Sequence, residues 1–280
     1  MAQLIDGKLI SQQIKDELKE EVAQFKAEGI DICLAVIQVG SDPASFCICQ
    51  KQRKKACAYI GVESRSYELP EETSEEELIK LVEELNADES VNGILVQLPV
   101  PDHIDEDKII RTISPDKDVD GFHPVSVGRL WIGEKGFSSC TPAGIIQLLK
   151  RSNISIEGKE CVIIGRSNIV GKPMAALLLR ENGTVTVAHS RTKDLKEVAK
   201  RADILIVAIG KERFITSEYI KEGAVVIDVG MHRDEANHLC GDVDFADVEP
   251  HSSAITPVPG GVGPMTIAML MNNCVETVRK

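Results

Sequence analysis

The chain has 280 residues, with 32 basic and 44 acidic side chains for a net charge of −12, 43% apolar and 27% charged residues. That length suits about two domains, the acidity argues against a general nucleic-acid binder, and no run of about 18 apolar residues is present to span a membrane. The opening Met1–Asp6 lacks the basic-then-apolar pattern of a secretory signal. The eight cysteines therefore read as reduced thiols of a cytoplasmic protein rather than a disulfide frame.

Ile10, Ile14, Leu18, Val22 and Phe25 form one helical face that stops at Gly29. Residues 32–39 (ICLAVIQV) read as a short buried strand. Ser41-Asp42-Pro43 offers a cap for a helix running to about Tyr59, followed by a strand over Val62–Leu69. Ser74 and Glu77 form a capping box ahead of Leu78, Leu81, Val82 and Leu85. Val91–Leu98 is a third buried strand, ended by Pro99 and Pro101. Thr141-Pro142 caps the helix that links this half to a second alternation. That half holds strands at Cys161–Ile164, Thr184–Ala188, Asp203–Ile209 and Ala224–Val229, a helix over Lys172–Glu181, and a last helix from Met265 to about Val278. Strands alternating with helices mean parallel βαβ units, an α/β fold of two domains with the last helix packing back on the first.

Cys33, Cys140 and Cys161 sit in or beside apolar runs and read as packing residues. Cys47, Cys49 and Cys57 lack the paired C-x-x-C spacing of zinc modules, so no metal is expected.

After the strand CVII, the segment Gly165 to Pro173 (GRSNIVGKP) opens directly into a helix. A glycine turn between strand and helix N-terminus cradles phosphate on free backbone N–H groups, although it lacks the middle glycine of G-x-G-x-x-G and can equally be a tight turn without ligand. The next strand ends in His189-Ser190-Arg191-Thr192, with no acid to accept from a ribose 2′-OH. Arg191, Ser190 and Arg166 suit a 2′-phosphate instead, which points to NADP. Gln97 stands at the carboxyl end of a buried strand, where open α/β sheets hold ligands. Asp118-Val119-Asp120-Gly121, two acids two apart, reads either as a metal site or simply as a turn. Pro257–Pro264 (PVPGGVGP) is a rigid, side-chain-poor loop that lets backbone approach a flat ligand.

Together these residues resemble the bifunctional methylenetetrahydrofolate dehydrogenase/cyclohydrolase family. The stretches that carry the resemblance run through the chain in order. They are VGSDPAS (39–45), KKACAYIG (54–61), GILVQLPVP (93–101), SPDKDVDGFHP (114–124), SCTPAGI (139–145), GRSNIVGKP (165–173), TVTVAHSRT (184–192), ADILIVAIG (202–210), VVIDVG (225–230), GDVDF (241–245) and TPVPGGVGPMT (256–266). The resemblance implies a folate-binding catalytic domain over 1–140 with the helix 265–280, and a Rossmann-like NADP-binding domain over 141–264. It also implies a tetrahydrofolate derivative in a cleft between them, and a homodimer. The implied chemistry is hydride transfer from 5,10-methylenetetrahydrofolate to NADP⁺, then hydrolysis of the methenyl cation to 10-formyltetrahydrofolate. By the same resemblance Asp120 meets the pterin edge, Gln97 tunes the catalytic cation, and Pro259 and Gly260 wall the pterin. Gly165, Arg166, Ser167, Ser190 and Met231 contact the cofactor, with Arg191 as a phosphate partner.

One stretch departs from the family pattern, which sets a Tyr three residues and a catalytic Lys seven residues after the Ser of PAS. Counted from Ser45 these positions hold Ile48 and Gln52; counted back from KKACAYIG they hold Cys49 and Arg53. The stretch is one residue longer than usual, which either rotates the remainder of the helix by about 100° or is absorbed as a π-bulge. Arginine keeps its proton at ordinary pH, so Arg53 holds charge but is no general base, and Lys51, Lys54 or Lys55 would have to be re-aimed to replace the lysine. The expectation is an NADP-dependent enzyme with an impaired hydrolase step; the alternative is a dehydrogenase-only or non-catalytic binding member of the same fold.

Overall fold

The computed structural model describes residues 2–40 and 46–279, with 46–49 described by backbone alone. In chain order the first half holds β1 (Gln3–Leu4), α1 (Gly7–Ala27), β2 (Cys33–Val39), α2 (Phe46–Ile60), β3 (Glu63–Leu69), α3 (Glu75–Ala87), β4 (Gly93–Val96), α4 (Glu106–Thr112) and α5 (Pro124–Ile132). The second half holds α6 (Cys140–Arg151), β5 (Glu160–Ile164), α7 (Gly171–Arg180), β6 (Thr184–Ala188), α8 (Leu195–Ala199), β7 (Ile204–Val207) and β8 (Ala224–Asp228). It continues with a hairpin of β9 (His232–Arg233) and β10 (Leu239–Cys240), then α9 (Phe245–Val248), β11 (Ser252–Ile255) and α10 (Val262–Glu276). The chain divides into one unit of Met1–Ser11 and Ser139–Thr266 and another of Gln12–Ser138 and Ile267–Lys280.

In the unit built around 12–138, a parallel sheet runs in the order β3-β2-β4. Every residue of β2 is buried, as expected of a central parallel strand covered on both faces. Val39, Val96, Leu78, Val82 and Ile109 close over one face of it as a single core. The capping box at Ser74 is present, its hydroxyl accepting from Glu77 N while the Glu77 carboxylate accepts from Ser74 N. Lys117 fastens the other end of α3. Its ammonium donates to the carbonyls of Leu85, Asn86 and Asp88 at 3.0, 2.9 and 2.7 Å, using the cation where a helix leaves carbonyls unsatisfied.

The other unit is a six-stranded sheet ordered β1-β11-β8-β7-β5-β6, parallel throughout. Its core joins Val162, Leu205, Val207, Val226 and Ile255. The order β6-β5-β7-β8-β11 is that of a doubly wound sheet, and it reverses direction between β5 and β7.

Several elements differ from the sequence expectations. β4 and β7 are shorter than Val91–Leu98 and Asp203–Ile209, because their carboxyl ends leave the ladder to form loops. Thr141-Pro142 is not the cap of α6: Ser139 takes that place and Pro142 falls in the first turn, where its missing N–H costs nothing. α10 starts at Val262 rather than Met265 and takes Pro264 into its first turn in the same way. α4, α5, β1, β11 and the hairpin escape an apolar-periodicity reading because they are short. The proposed cap at Ser41–Pro43 lies outside the described residues. α2 is α-helical throughout Phe46–Ile60, so the extra residue makes no π-bulge there.

The C-terminal helix contributes to the unit built around 12–138 through Asn273. This side chain is 5% exposed, and its amide donates to Val119 O at 2.8 Å and Ser138 O at 3.0 Å. Asn273→Ala leaves two carbonyls short of a donor and should lower stability by about 2–4 kcal/mol. A urea-unfolding midpoint unchanged from the parent would contradict this.

Candidate active site

The carboxyl end of β4 carries the first cluster. Gln97 N donates to Ile37 O at 2.9 Å, so the residue is held in line with the sheet as the chain turns away. Beside it, Ile94 N donates to Lys117 O at 2.8 Å, and Ile94 bridges to Asp118, which ties 117–119 to the strand. Gly93 makes that approach possible, since a Cβ there would stand 2.6 Å from Val119 Cγ1.

The two acids of this segment have opposite environments. Asp118 is 2% exposed and accepts from Phe122 N (3.3 Å), His123 N (2.8 Å) and Ser126 Oγ (2.8 Å), which organises the turn into α5. Asp120 is half-buried and accepts no hydrogen bond from the described residues. Burial first, then the neighbouring Asp118 charge, push its carboxyl from the usual range up to about 7, against the pull of Arg53. A carboxylate without protein donors beside a saturated one is available to a ligand.

Arg53, on α2, is 5% exposed and donates from Nη1 to Gln97 Oε1 at 3.2 Å; the Gln97 amide in turn donates to Leu98 O at 3.2 Å. One turn earlier on the same face, Gln50 donates to Gln38 Oε1. Gln52, Lys51, Lys54 and Lys55 are all exposed, and Lys54 pairs with Glu68 at 3.8 Å. The inward register is thus the one counted back from Ala56-Cys57, and none of the three lysines is re-aimed toward Gln97. The side chain of Cys49 lies outside the described residues.

In the other unit, the remaining candidates gather at the carboxyl edge of the six-stranded sheet. Gly165 follows β5 with φ +132, and a Cβ on it would stand 2.2 Å from Ala208 O. The amides of Val170 and Gly171 are not free, as the sequence reading expects, but both donate to Ser167 Oγ at 3.1 and 3.3 Å. The amides of residues 166–169 find no acceptor among the described residues, and such a run of free N–H groups forms an anion nest. β5 and β6 pair in register at Ile164 and Ala188, so Arg166 and Ser190 each lie two residues beyond paired strand ends. Arg166, Ser190 and Arg191 are exposed, and neither arginine has an ion pair among the described residues. Residues 189–193, directly after β6, contain no carboxylate, and the set fits a dinucleotide bearing a 2′-phosphate. Met231, beyond β8, is 63% exposed. Pro259 is exposed and Gly260 half-buried, with φ +107 at Gly260 and Lys8 N donating to its carbonyl at 3.1 Å. Among the described residues no group of three His, Cys, Asp or Glu could hold a metal ion.

Residues 139–280 match the family model for the tetrahydrofolate dehydrogenase/cyclohydrolase NAD(P)-binding domain, and residues 5–120 the model for its catalytic domain. The chain belongs to the tetrahydrofolate dehydrogenase/cyclohydrolase family. The bifunctional protein FolD of Lachnoclostridium phytofermentans is 69% identical over 100% of this chain and 99% of that protein. The crystal structure of the bifunctional enzyme FolD from Campylobacter jejuni superposes with a TM-score of 0.96 at 51% identity, covering 99% of this chain and 98% of that one. The Trypanosoma brucei methylenetetrahydrofolate dehydrogenase-cyclohydrolase, complexed with NADP cofactor and inhibitor, gives 0.92 at 38% identity over 99% and 97% of the two chains.

Sequence reasoning left Asp228 and Asp242 without a role, although both sit in stretches that carry the family resemblance. The available signal was an acid at the end of the apolar run AVVID, where burial demands several donors. The charge state of Asp120 yields a sign. Its proton is retained in the folded chain between about pH 4 and 7, where the unfolded chain has lost it, so stability falls as pH rises through that window. Asp120→Asn should therefore melt well above the parent at pH 8 and level with it near pH 4. An equal margin in melting temperature at both pH values would contradict the assignment.

Proposed function

We propose that this chain oxidises 5,10-methylenetetrahydrofolate to the methenyl cation with NADP⁺ and is formally the cyclohydrolase for that cation, as a one-carbon enzyme. Its membership of the family supports both activities, and the observation that carries the site assignment is the Asp120 carboxylate, without a donor among the described residues, next to the Arg53–Gln97 pair. A pterin edge presents adjacent N–H donors that one carboxylate accepts together. NADP⁺ when bound supplies the hydride acceptor. Gly165, Arg166, Ser167, Ser190, Arg191 and Met231 hold it, with Arg166 and Arg191 on the 2′-phosphate. Pro259 and Gly260 wall the pterin, and Cys49 takes the place of the family tyrosine. The folate side is assigned to 1–140 with 265–280, and the cofactor side to 141–264.

The two reactions ask different things of Arg53. Hydride transfer needs the donor carbon held in position, and a fixed guanidinium hydrogen-bonded to Gln97 contributes charge to that. Hydrolysis needs a group to take a proton as water adds to the methenyl carbon, before the ring C–N bond opens. Arginine does not release its own proton to become such a group. This favours a dehydrogenase whose hydrolase step is impaired. We also read the chain as a cytoplasmic homodimer. No described helix is long and apolar enough to cross a membrane, and β3 is the open edge of its sheet. The acidic surface offers no footprint for nucleic acid.

In a spectrophotometric assay, methylenetetrahydrofolate should reduce NADP⁺, while methenyltetrahydrofolate should decay close to its spontaneous rate. Arg53→Lys should then speed that decay by about 10²-fold. Parent hydrolysis far above background, indifferent to this change, would remove the impairment. Arg191→Ala should raise KM for NADP⁺ about tenfold or more and leave KM for NAD⁺ unchanged; equal effects on both cofactors would deny Arg191 its phosphate.

A further inference from the structure

The reversal of strand order between β5 and β7 opens a crevice at the carboxyl edge of the sheet, the place where doubly wound sheets take their ligands. The loop from Gly165 forms one lip. The other is the turn Ala208–Lys211 after β7, which meets the first where Gly165 approaches Ala208 O. A dinucleotide with its ribose phosphate beyond β6 and its pyrophosphate at the β5 loop must extend its other half over β7 and β8.

That second lip is built around a carboxylate. Asp242, 0% exposed, accepts from Ile209 N at 2.7 Å and Gly210 N at 3.1 Å on Oδ2. Its Oδ1 accepts from Lys211 N at 2.8 Å and stands 2.7 Å from His232 Nε2. One side chain thus satisfies three successive amides of the turn. Asp242 is itself held by Asp228 at the end of β8, whose carboxylate accepts from Asp242 N (3.0 Å), Val243 N (3.0 Å) and Gly230 N (2.9 Å). The fit excludes side chains at the contacts: a Cβ on Gly241 would lie 1.8 Å from Asp228 Oδ2, and one on Gly230 2.3 Å from Asp242 N. The turns after β7 and β8, the second of which carries Met231, are thereby locked to each other.

We propose that Asp242 is a positioning residue for the cofactor, fixing the 208–211 lip so that the nicotinamide half of NADP meets a preformed backbone wall. The inference rests on the reading of the chain as an NADP-linked enzyme. Asp242 has no need to touch the cofactor. It aligns the backbone that does, and it spares the ligand the entropy of ordering that turn. The 2′-phosphate and adenosine half, over β5 and β6, lies outside its reach.

Calorimetric titration of the full chain with NADP⁺, and separately with 2′,5′-ADP, which lacks the nicotinamide half, tests this without turnover. Asp242→Asn turns one acceptor into a donor facing N–H groups. It should weaken NADP⁺ binding about tenfold or more and change 2′,5′-ADP binding less than about twofold. If that variant does not melt cooperatively, Gly210→Ala decides by the same pair of affinities. Its φ of +67 disfavours a side chain, and nothing lies within 4 Å of the added methyl. Equal losses for both ligands in a folded variant, or no loss for either, would overturn the proposal. A parent protein that binds neither ligand would overturn the NADP reading itself, and this inference with it.

Discussion

A buried carboxylate needs donors to replace its lost water, and that requirement orders both halves of this protein. Asp118, Asp228 and Asp242 each gather backbone N–H groups at the carboxyl ends of parallel strands, where loops leave the ladder and their amides lose their sheet partners. The acids are therefore structural in a specific sense: each converts an irregular loop into a fixed one. Burial still pushes Asp228 up to about 6 despite its three donors, a measure of how costly even a well-served charge is in this position. Asp120 stands two residues from a saturated neighbour and accepts no hydrogen bond from the described residues. The contrast separates scaffold from site more sharply than proximity does.

Around Asp120 burial is the main force that raises its proton affinity, and two neighbours act in opposite senses on top of it. Asp118 raises that affinity further and Arg53 lowers it, so the same carboxyl is poised between charge states instead of being fixed in one. The guanidinium cannot take part in that exchange, being charged at every ordinary pH. Its hydrogen bond to Gln97 also commits the glutamine oxygen to acceptance, while the amide is committed to Leu98 O. Positioning is thus strong and proton transfer is confined to the acid. Hydride transfer asks for the fixed charge that Arg53 supplies, whereas water addition asks for a group that takes a proton, which arginine is not.

Much of this was legible in the sequence because it is written in period and punctuation. The all-buried β2, the capping box at Ser74 and the glycine turn after β5 each follow from local pattern. The inward turn of Arg53 was one of two registers the sequence left open, and the structure resolves it through the burial of Ala56 and Cys57 on the same helix face. What the sequence hid is non-local hydrogen bonding. Nothing near Lys117 announces that it caps a helix some thirty residues earlier, nor does GDVDF announce that its first acid serves the turn after β7. Short elements such as α4 and α5 escaped for a different reason: fewer than three turns carry too little periodicity to read.

The cations divide by the same logic as the acids. Arg166 and Arg191 are exposed and without ion pairs among the described residues, so they lose little on meeting a phosphate and remain subject to screening by salt. Arg53 is buried and already bonded, and its charge acts in a medium where screening is weak. The three lysines beside it in sequence point to solvent. A net charge of −12 therefore coexists with anionic ligands without conflict. Part of the acidic excess sits on outer helical faces such as Glu76 and Glu77. The exposed arginines and, among the described residues, the unpaired amides of 166–169 stand beyond the strand ends, and their placement follows from which way the parallel sheet runs.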